Sequence, residues 1–327
     1  MKAIQLTKYG PPDVLELADI EKPTPKEHQV LVKVHAASAN ALDWRRFAMW
    51  PILARLMEGG FSKPKDPAVG ADLAGVIEAV GDGVTEFKPG DEVFGVCNGS
   101  FAEYALARDT KIVHKPANVS FEQAAAVPVA ALTALQGLRD KGQIQAGEKV
   151  LIHGASGGVG IFAVQIAKAL GAEVTAVCSM RNLEMARSLG ADHVIDYTRE
   201  DFTKNGKKYD LILGVNGYRS VFTYRRALTP NGRYWVAGGK AGQILEGMTL
   251  APLVGRFGTK KMGMMGIATT PKEDLLFLKD LLEAGKIVPV IDKSYPLSEA
   301  ASAIRYMMED HARGKVVITV AQAHGGN

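Results

Sequence analysis

The chain has 327 residues, of which 47% are hydrophobic and 23% are charged, and its formal net charge is +4. At roughly 150 residues per domain, this length predicts about two domains of ordinary globular composition. The positive charges are spread along the chain and form no basic stripe, so we expect no nucleic-acid partner.

The cysteines and the apolar stretches bear on the compartment. Cys97 and Cys178 are the only cysteines and lie far apart, which indicates no disulfide framework and favours a reducing cytoplasm. The N-terminal residues lack the apolar core of a signal peptide. The most apolar stretch, from Ala124 to Leu138, contains Pro128 and is short for a bilayer, so we interpret it as buried helix. We therefore expect a cytoplasmic protein.

Residues 1 to about 120 have the pattern of β structure. Short apolar runs such as Val30–Val34 and Gly75–Val80 alternate with turn signals such as Gly81-Asp82-Gly83. The pattern then changes, because Ser120 followed by Gln123 predicts the N-cap of an alanine-rich helix.

From residue 149 the chain alternates between strands and helices. The predicted strands are 150–153, 173–178, 193–196, 209–215 and 233–237, and the predicted helices are 158–170, 183–189 and 220–228. This rhythm predicts βαβ units and a parallel sheet. Further on, we predict helices over 275–284 and 298–308, the second capped by Ser298, and a strand over 316–320. The run 262–267 is predicted to be an edge strand that pairs two subunits, so we expect a homodimer.

The segment Gly154–Gly160 carries the strongest chemical signal. A predicted strand enters it, its glycines make a turn, and an amphipathic helix leaves it. This context matches a dinucleotide fingerprint, with Ala155 in the first glycine slot. Without side chains the backbone can approach a pyrophosphate closely, and the helix N-terminus offers free N–H groups.

The end of the second predicted strand bears on the choice between NADH and NADPH. NADH enzymes of this class place an acid there to bind the ribose hydroxyls. Here the slot holds Ser179, and Arg181 follows. A hydroxyl and a guanidinium can bind a 2′-phosphate that a carboxylate would repel, so we predict NADPH (NADP+) as the cofactor.

Taken together, these residues resemble the medium-chain dehydrogenase/reductase superfamily and, within it, the zinc-independent quinone oxidoreductase branch. The markers are 38–40 with Asp43, 69–77, 88–95, 99–104, Pro128 with 132–134, the glycine turn, 189–192 and 314–317. The segment 177–228 looks like the chloroplast-envelope quinone oxidoreductase homologues and their bacterial relatives.

The resemblance implies an α/β fold in which a GroES-like β-barrel domain carries the substrate pocket. A Rossmann domain, a doubly wound parallel sheet, is inserted in that domain. The implied boundaries are 1–120 with 290–327 for the GroES-like domain and 121–289 for the NADPH-binding domain, with the ligand cleft between the two.

The resemblance also implies roles for named residues. It places Asn40 and Asp43 at the reacting groups, as candidate catalytic residues, and assigns the other site residues to the cofactor. The implied cofactor-binding residues are Thr133, Ser156, Gly157, Gly158, Val159, Ser179, Arg181, Tyr197, Asn216, Gly238, Gly239 and Lys315. For Asn40 and Asp43 the alternative is structural hydrogen bonding within the loop.

The ligand positions of the family's zinc branch can be compared with this chain. That branch has Cys where this chain has Asn40, and Gly-His-Glu where this chain has Gly70-Ala71-Asp72. Because a catalytic zinc needs three protein ligands, Asp72 alone is no site, and we predict no metal. Without a metal the acceptor must take up charge by its own conjugation, which favours a hydrophobic quinone or α,β-unsaturated carbonyl. An alcohol dehydrogenase and a non-catalytic NADPH-binding protein are the alternatives.

The segment from Trp44 to Lys65 interleaves apolar and basic residues. It has three interpretations: a helix that packs on its own domain, a lid over a large apolar pocket, or a weak peripheral membrane contact. The sequence leaves these open, and it leaves the proton donor unassigned.

Overall fold

The computed structural model describes residues 1–48, 64–309 and 312–320. The chain divides into two compact units. The first comprises Met1–Val129, Thr270–Glu283 and Pro289–Asn327, and the second comprises Ala130–Thr269 and Ala284–Val288. No helix in the described ranges is long and apolar enough to cross a bilayer.

The strands of the described ranges are β1 (Lys2–Leu6), β2 (Leu15–Asp19), β3 (Gln29–Ala39), β4 (Asp72–Val80), β5 (Glu92–Val96), β6 (Tyr104–Arg108), β7 (Ile112–His114), β8 (Lys149–His153), β9 (Glu173–Cys178), β10 (His193–Asp196), β11 (Tyr209–Gly214), β12 (Leu228–Val236), β13 (Lys261–Met264), β14 (Ile291–Pro296) and β15 (Lys315–Thr319). The helices are α1 (Ala41–Ala48), α2 (Phe121–Ala125), α3 (Pro128–Gln136), α4 (Gly158–Ala169), α5 (Leu183–Ser188), α6 (Val221–Ala227), α7 (Ala241–Met248), α8 (Leu250–Gly255), α9 (Lys272–Glu283) and α10 (Ala300–Glu309).

The first unit is built on a seven-stranded sheet. Its strand order is β14-β15-β3-β4-β5-β7, with β6 also paired to β3. The long strand β3 pairs antiparallel with both β4 and β15, so the late strand β15 lies beside an early one. The partners Val316 and Ala39 bring the start of β15 to the end of β3. Buried apolar side chains such as Val32, Leu73 and Ile318 form the core.

The second unit is built on a six-stranded sheet in the order β10-β9-β8-β11-β12-β13. Every neighbouring pair is parallel. The central strands are apolar and buried along nearly their whole length, as expected when both faces of a parallel sheet are covered. The strand order is that of a doubly wound dinucleotide-binding sheet, and β13 is its edge strand.

Most predicted elements of the second unit are confirmed to within two residues at their ends. The exceptions are the strand predicted over 233–237, which begins earlier, at Leu228, and the edge strand predicted over 262–267, which ends earlier, at Met264. The alanine-rich stretch is buried as predicted, but it forms two helices because Pro128 starts a new one. The capping box of Ser120 and Gln123 is confirmed.

One predicted cap is wrong, and two helices lie outside their predicted domain. Ser298 sits inside a 3-10 turn, Leu297–Glu299, that follows Pro296, so α10 begins only at Ala300. Helices α2 and α9 belong to the first unit, because α2 packs on β3 and β4 and α9 packs on β7. The sequence had placed both in 121–289.

Candidate functional site

The turn between β8 and α4 uses its glycines for different reasons. Gly154 has φ +94°, and a Cβ there would lie 2.6 Å from the backbone nitrogen of Asn216. A Cβ at Gly160 would lie 2.1 Å from the carbonyl oxygen of Gly154. At Gly157 the nearest atom to a Cβ is 3.7 Å away. The protein's own packing therefore requires Gly154 and Gly160 but leaves space over Gly157.

That space lies at the N-terminus of a twelve-residue helix. Gly157 is the N-cap of α4 in extended conformation, and Ser156–Val159 are half-buried. The first N–H groups of a helix have no carbonyl partner within it, and the helix dipole adds positive potential there. A phosphate group fits this turn by charge and by space.

The other residues predicted to bind the cofactor in the second unit follow neighbouring strands. Ser179 follows β9, Tyr197 follows β10, Asn216 follows β11, and Gly238 and Gly239 follow β12. Because these strands are parallel, the structure brings all five to the carboxyl edge of one sheet. Thr133 belongs to the same unit and is half-buried on α3.

Ser179 and Arg181 differ in exposure. Ser179 is half-buried, and its Oγ accepts a hydrogen bond of 3.2 Å from Asn182 Nδ2. Arg181 lies in the 3-10 turn Met180–Asn182, and its side chain is exposed. The exposed hydroxyphenyl of Tyr197 lies beyond the end of β10, whose Asp196 is paired with Cys178.

The sequence analysis missed an acid at this edge. Asp196 ends β10, and its Oδ1 accepts hydrogen bonds from the Thr198 nitrogen at 3.0 Å and from Thr198 Oγ1 at 2.8 Å. The Thr198 hydroxyl, more than any other group, lowers the pKa of this carboxyl. The carboxylate therefore shapes the turn after β10. The sequence prediction considered only the end of β9, and Asp196 lies at the end of the neighbouring strand β10.

A buried aromatic group supports the loop after β11. Tyr224 Oη donates to the Gly217 carbonyl at 2.8 Å and lies 2.7 Å from His153 Nδ1. Since the hydroxyl proton goes to Gly217, His153 must donate from Nδ1. The imidazole also fills the space where a Cβ of Gly217 would lie, 2.3 Å from Nε2. The end of β8 and the loop at Gly217 are thus held together.

His153 makes stability depend on pH. Burial, more than any other cause, lowers its pKa to about 4 in the folded protein. Below pH 6.5 this histidine is protonated in the unfolded chain but stays neutral in the folded one. The free energy of unfolding therefore decreases as the pH falls from 6.5, and the loss is complete near pH 4. We expect a loss of roughly 3 kcal/mol from this residue. Urea unfolding at several pH values measures it, and His153→Gln should flatten the curve between pH 6.5 and 4. An unchanged slope would contradict the assignment.

A buried polar cluster lies in the first unit, where β3 ends beside β4 and β15. It consists of Ser38, Asn40, Asp43, Asp72 and Lys315, none more than 7% exposed. The structure thus brings together both candidate catalytic residues and Lys315, which the sequence had assigned to the cofactor. It adds Asp72 and Ser38, which the sequence analysis did not select as site residues.

Asp72 is the centre of this cluster. Its Oδ2 accepts from Ser38 Oγ at 2.6 Å and from Asn40 Nδ2 at 2.8 Å, and its Oδ1 accepts from the Val129 nitrogen at 2.8 Å. Lys315 Nζ lies 3.5 Å from the same carboxylate. Three hydrogen-bond donors and an ammonium group therefore converge on one buried carboxylate.

Asp43 and Lys315 complete the cluster. Asp43 Oδ2 accepts from the Asn40 backbone nitrogen at 2.7 Å, which ties the start of α1 to the end of β3. Lys315 Nζ donates to Asn40 Oδ1 at 2.6 Å and to the Ala39 carbonyl at 3.3 Å. Burial lowers the pKa of Lys315, and the carboxylates of Asp72 and Asp43 oppose that shift.

The two cysteines should react slowly in the folded protein. Burial raises the pKa of Cys178 to about 11 and also raises that of Cys97, where the carboxylates of Asp72 and Asp43 add to the shift. At pH 8 a thiol of pKa 11 is roughly 0.1% thiolate, so we expect modification on the order of a hundredfold slower than for free cysteine. Titration with a disulfide reagent in buffer and in denaturant tests this. Rapid labelling of the folded protein would contradict it.

Comparison with known families places this architecture. The model of the alcohol dehydrogenase GroES-like domain matches residues 26–117, and that of the zinc-binding dehydrogenases matches residues 189–318. With the parallel sheet and its glycine turn, these matches define a dehydrogenase with a GroES-like domain and a Rossmann-like sheet. The chain belongs to the medium-chain dehydrogenase/reductase superfamily, in its quinone oxidoreductase branch.

Individual relatives cover nearly the whole chain. The chloroplast envelope quinone oxidoreductase homolog of Arabidopsis thaliana is 35% identical over 97% of this chain and 98% of its own. An NADPH-dependent alkenal/one oxidoreductase of the same plant is 34% identical over 97% of this chain and 79% of its own. The quinone oxidoreductase structure from Coxiella burnetii has a TM-score of 0.86 at 31% identity, covering 98% and 99% of the two chains. A mycobacterial protein solved with NADPH has a TM-score of 0.84 at 25% identity, covering 98% and 100%.

Zinc, which the name of one matching family implies, does not fit the donor set of the buried cluster. The Asn40 amide is used in hydrogen bonds, and the Asp72 carboxylate is held by three donors and faces an ammonium group. Among the described residues, no three His, Cys, Asp or Glu side chains lie close enough to share a metal ion. A cation at Asp72 would have to displace Lys315.

Proposed function

We propose that this oxidoreductase uses NADPH to reduce a hydrophobic quinone or an α,β-unsaturated carbonyl compound, without a metal ion. The observation that carries the proposal is the carboxyl edge of the parallel sheet. There, the glycine turn, with free space over Gly157 at a helix N-terminus, lies at the same edge of the sheet as Ser179 and Arg181. The names of the alkenal/one oxidoreductase and of the NADPH-bound mycobacterial structure support the same cofactor.

The chain's own residues would divide the work of binding. Ser156–Val159 would hold the pyrophosphate through backbone N–H groups, and Ser179, Arg181 and Tyr197 would surround the 2′-phosphate. Asn216, Gly238 and Gly239 would line the same edge beyond the turn. Asp196, whose Oδ1 accepts two hydrogen bonds from Thr198, would lie at the same edge as the phosphate. Bound NADPH would supply a hydride to the acceptor.

The proposed acceptor is argued from the buried cluster of the first unit, whose donor set does not fit a metal ion. A conjugated quinone or enone disperses the charge that arrives with the hydride, so positioning and exclusion of water are sufficient help from the protein. An isolated ketone or alcohol would need an electrophile, and neither Asn40 nor Asp72 has a free donor for that role.

The test is stopped-flow oxidation of NADPH with a panel of quinones, enones and saturated ketones, before and after treatment with a zinc chelator. We expect turnover with quinones or enones, little with saturated ketones, and no loss on chelation. Chelator-sensitive turnover of alcohols would establish the alcohol dehydrogenase alternative. Tight NADPH binding without turnover of any acceptor would leave a non-catalytic binding protein.

For the assembly, we propose a cytoplasmic homodimer that forms through β13. This strand is the edge of the parallel sheet, and the exposed apolar side chains of Phe257 and Ile267 flank it. Light scattering should give twice the chain mass, and Ile267→Glu should lower it. The 49–63 part of the predicted lid or membrane-contact segment lies outside the described residues. Trp44, at its start, packs on the core of the first unit.

A further inference from the structure

The orientation of the Asn40 amide is fixed by its neighbours. Lysine can only donate hydrogen bonds and a carboxylate can only accept them, so the amide oxygen must face Lys315 and the amide nitrogen must face Asp72. The distances are 2.6 Å and 2.8 Å. The second N–H donates to the Ser38 carbonyl at 3.2 Å. Both protons of the amide are therefore used inside the protein, and one lone pair of Oδ1 is left.

The ammonium protons of Lys315 are likewise directed at groups inside the protein. Its ammonium has three protons and three neighbours: Asn40 Oδ1, the Ala39 carbonyl and the Asp72 carboxylate. The side chain is only 3% exposed. A lysine that reaches a phosphate needs at least one free proton and an exposed head group, and this lysine has neither.

We propose that Lys315 is a positioning residue that holds the Asn40 carboxamide, with Asp72 as its counter-charge, and that it does not contact the cofactor. Asn40 then meets the reacting groups only as a hydrogen-bond acceptor, through the remaining lone pair of Oδ1. Its partner would be a donor such as an amide N–H or a hydroxyl. It cannot act as a donor to a developing oxyanion. This inference rests on the proposed NADPH-dependent reaction.

The experiment combines Lys315→Met and Asn40→Ala, singly and together. We measure NADPH affinity, the fluorescence emission of the bound reduced nicotinamide, and the single-turnover rate per folded molecule. Each single change should slow the hydride step about 30-fold, because misplacement of a group by about 1 Å can cost on the order of 100-fold. The double variant should be no slower than Asn40→Ala, and NADPH affinity should change less than threefold. The shift in nicotinamide emission of the double variant should likewise be smaller than the sum of the shifts of the two single variants.

The control is Lys115→Met. Lys115 is also buried in the first unit and donates to the carbonyls of Pro116 and Val119, with Glu92 3.1 Å away. Its loss should lower stability and leave the rate per folded molecule unchanged. If Lys315→Met fails to fold, the pair Lys315→Met with Asp72→Asn removes both charges and takes its place.

Three results would overturn the proposal. A rise of NADPH Kd above tenfold at an unchanged rate would make Lys315 a cofactor contact. Rate losses that multiply in the double variant would make the two residues independent. An equal slowing by Lys115→Met would make the effect a general one of buried lysines. If the wild type binds NADPH but turns over no acceptor, the proposed reaction fails separately, and the emission cycle still decides the positioning role.

Discussion

Replacement of Gly157 by alanine is expected to raise the Kd for NADPH by about 100-fold while changing the free energy of unfolding by less than about 1 kcal/mol. The added methyl group would meet nothing of the protein closer than 3.7 Å, and φ at this residue is −84°, which alanine adopts freely. The space it fills is the space over the turn, where a pyrophosphate would approach the N–H groups of α4. A methyl group there obstructs the ligand and leaves the fold intact.

Gly160→Ala should behave in the opposite way. Its methyl group would lie 2.1 Å from the Gly154 carbonyl and 2.7 Å from the backbone of Ala155, so α4 must move away from the turn. We expect a loss of about 3 kcal/mol or more in stability, with cofactor binding lost as a consequence. Gly242→Ala, where a methyl group has nothing within 4 Å, serves as the control and should be neutral or slightly stabilising.

Urea unfolding and NADPH fluorescence titration on the same three variants separate the two roles. Wild-type affinity in Gly157→Ala would mean that no phosphate lies over the turn, and the proposed cofactor site would be wrong. Stable folding of Gly160→Ala would mean that helix α4 is not seated on the turn as the structure shows.

The parallel sheet could be predicted from the sequence because its signals are local. A strand such as β8, the glycine turn after it and the apolar face of α4 follow one another within about twenty residues, and each restricts the next. The same holds for Ser179 and Arg181, whose place at the end of β9 follows from the strand alone. Site residues whose position depends on an adjacent strand or helix could therefore be predicted from the sequence.

The buried cluster could not be predicted from the residues alone, because pairing over long sequence distances creates it. Lys315 and Asn40 are 275 residues apart and meet only because β15 pairs with β3. In the sequence Asp72 is a lone carboxylate, too few ligands for a metal site, and nothing local shows that three donors and an ammonium group converge on it. The helix cap predicted at Ser298 was wrong for a different reason. A 3-10 turn follows Pro296 and precedes the helix, and the sequence signal for a cap cannot distinguish the start of such a turn from the start of an α-helix.

Arg181→Ala is expected to weaken NADPH binding by about 30-fold, or roughly 2 kcal/mol, and to change NADH binding less than threefold. A 2′-phosphate is the only chemical difference between the two cofactors, and the guanidinium is the cationic group next to Ser179 at the end of β9. A charge-assisted hydrogen bond of this kind is partly screened by salt, so the preference for NADPH should also narrow as ionic strength rises. Fluorescence titration with both nucleotides at two salt concentrations measures both effects.

Ser179→Asp should have the larger effect on the choice of cofactor. A carboxylate at this slot would repel the 2′-phosphate and could accept hydrogen bonds from both ribose hydroxyls of NADH, so the preference should invert. Arg187→Ala is the matched control, because this exposed arginine on the next helix pairs with Glu184 and should affect neither nucleotide. Equal losses for NADPH and NADH in Arg181→Ala would refute the 2′-phosphate assignment. Asp196 makes the test sharper, because it ends β10, paired with Cys178, and already places one carboxylate at this edge beside the proposed 2′-phosphate.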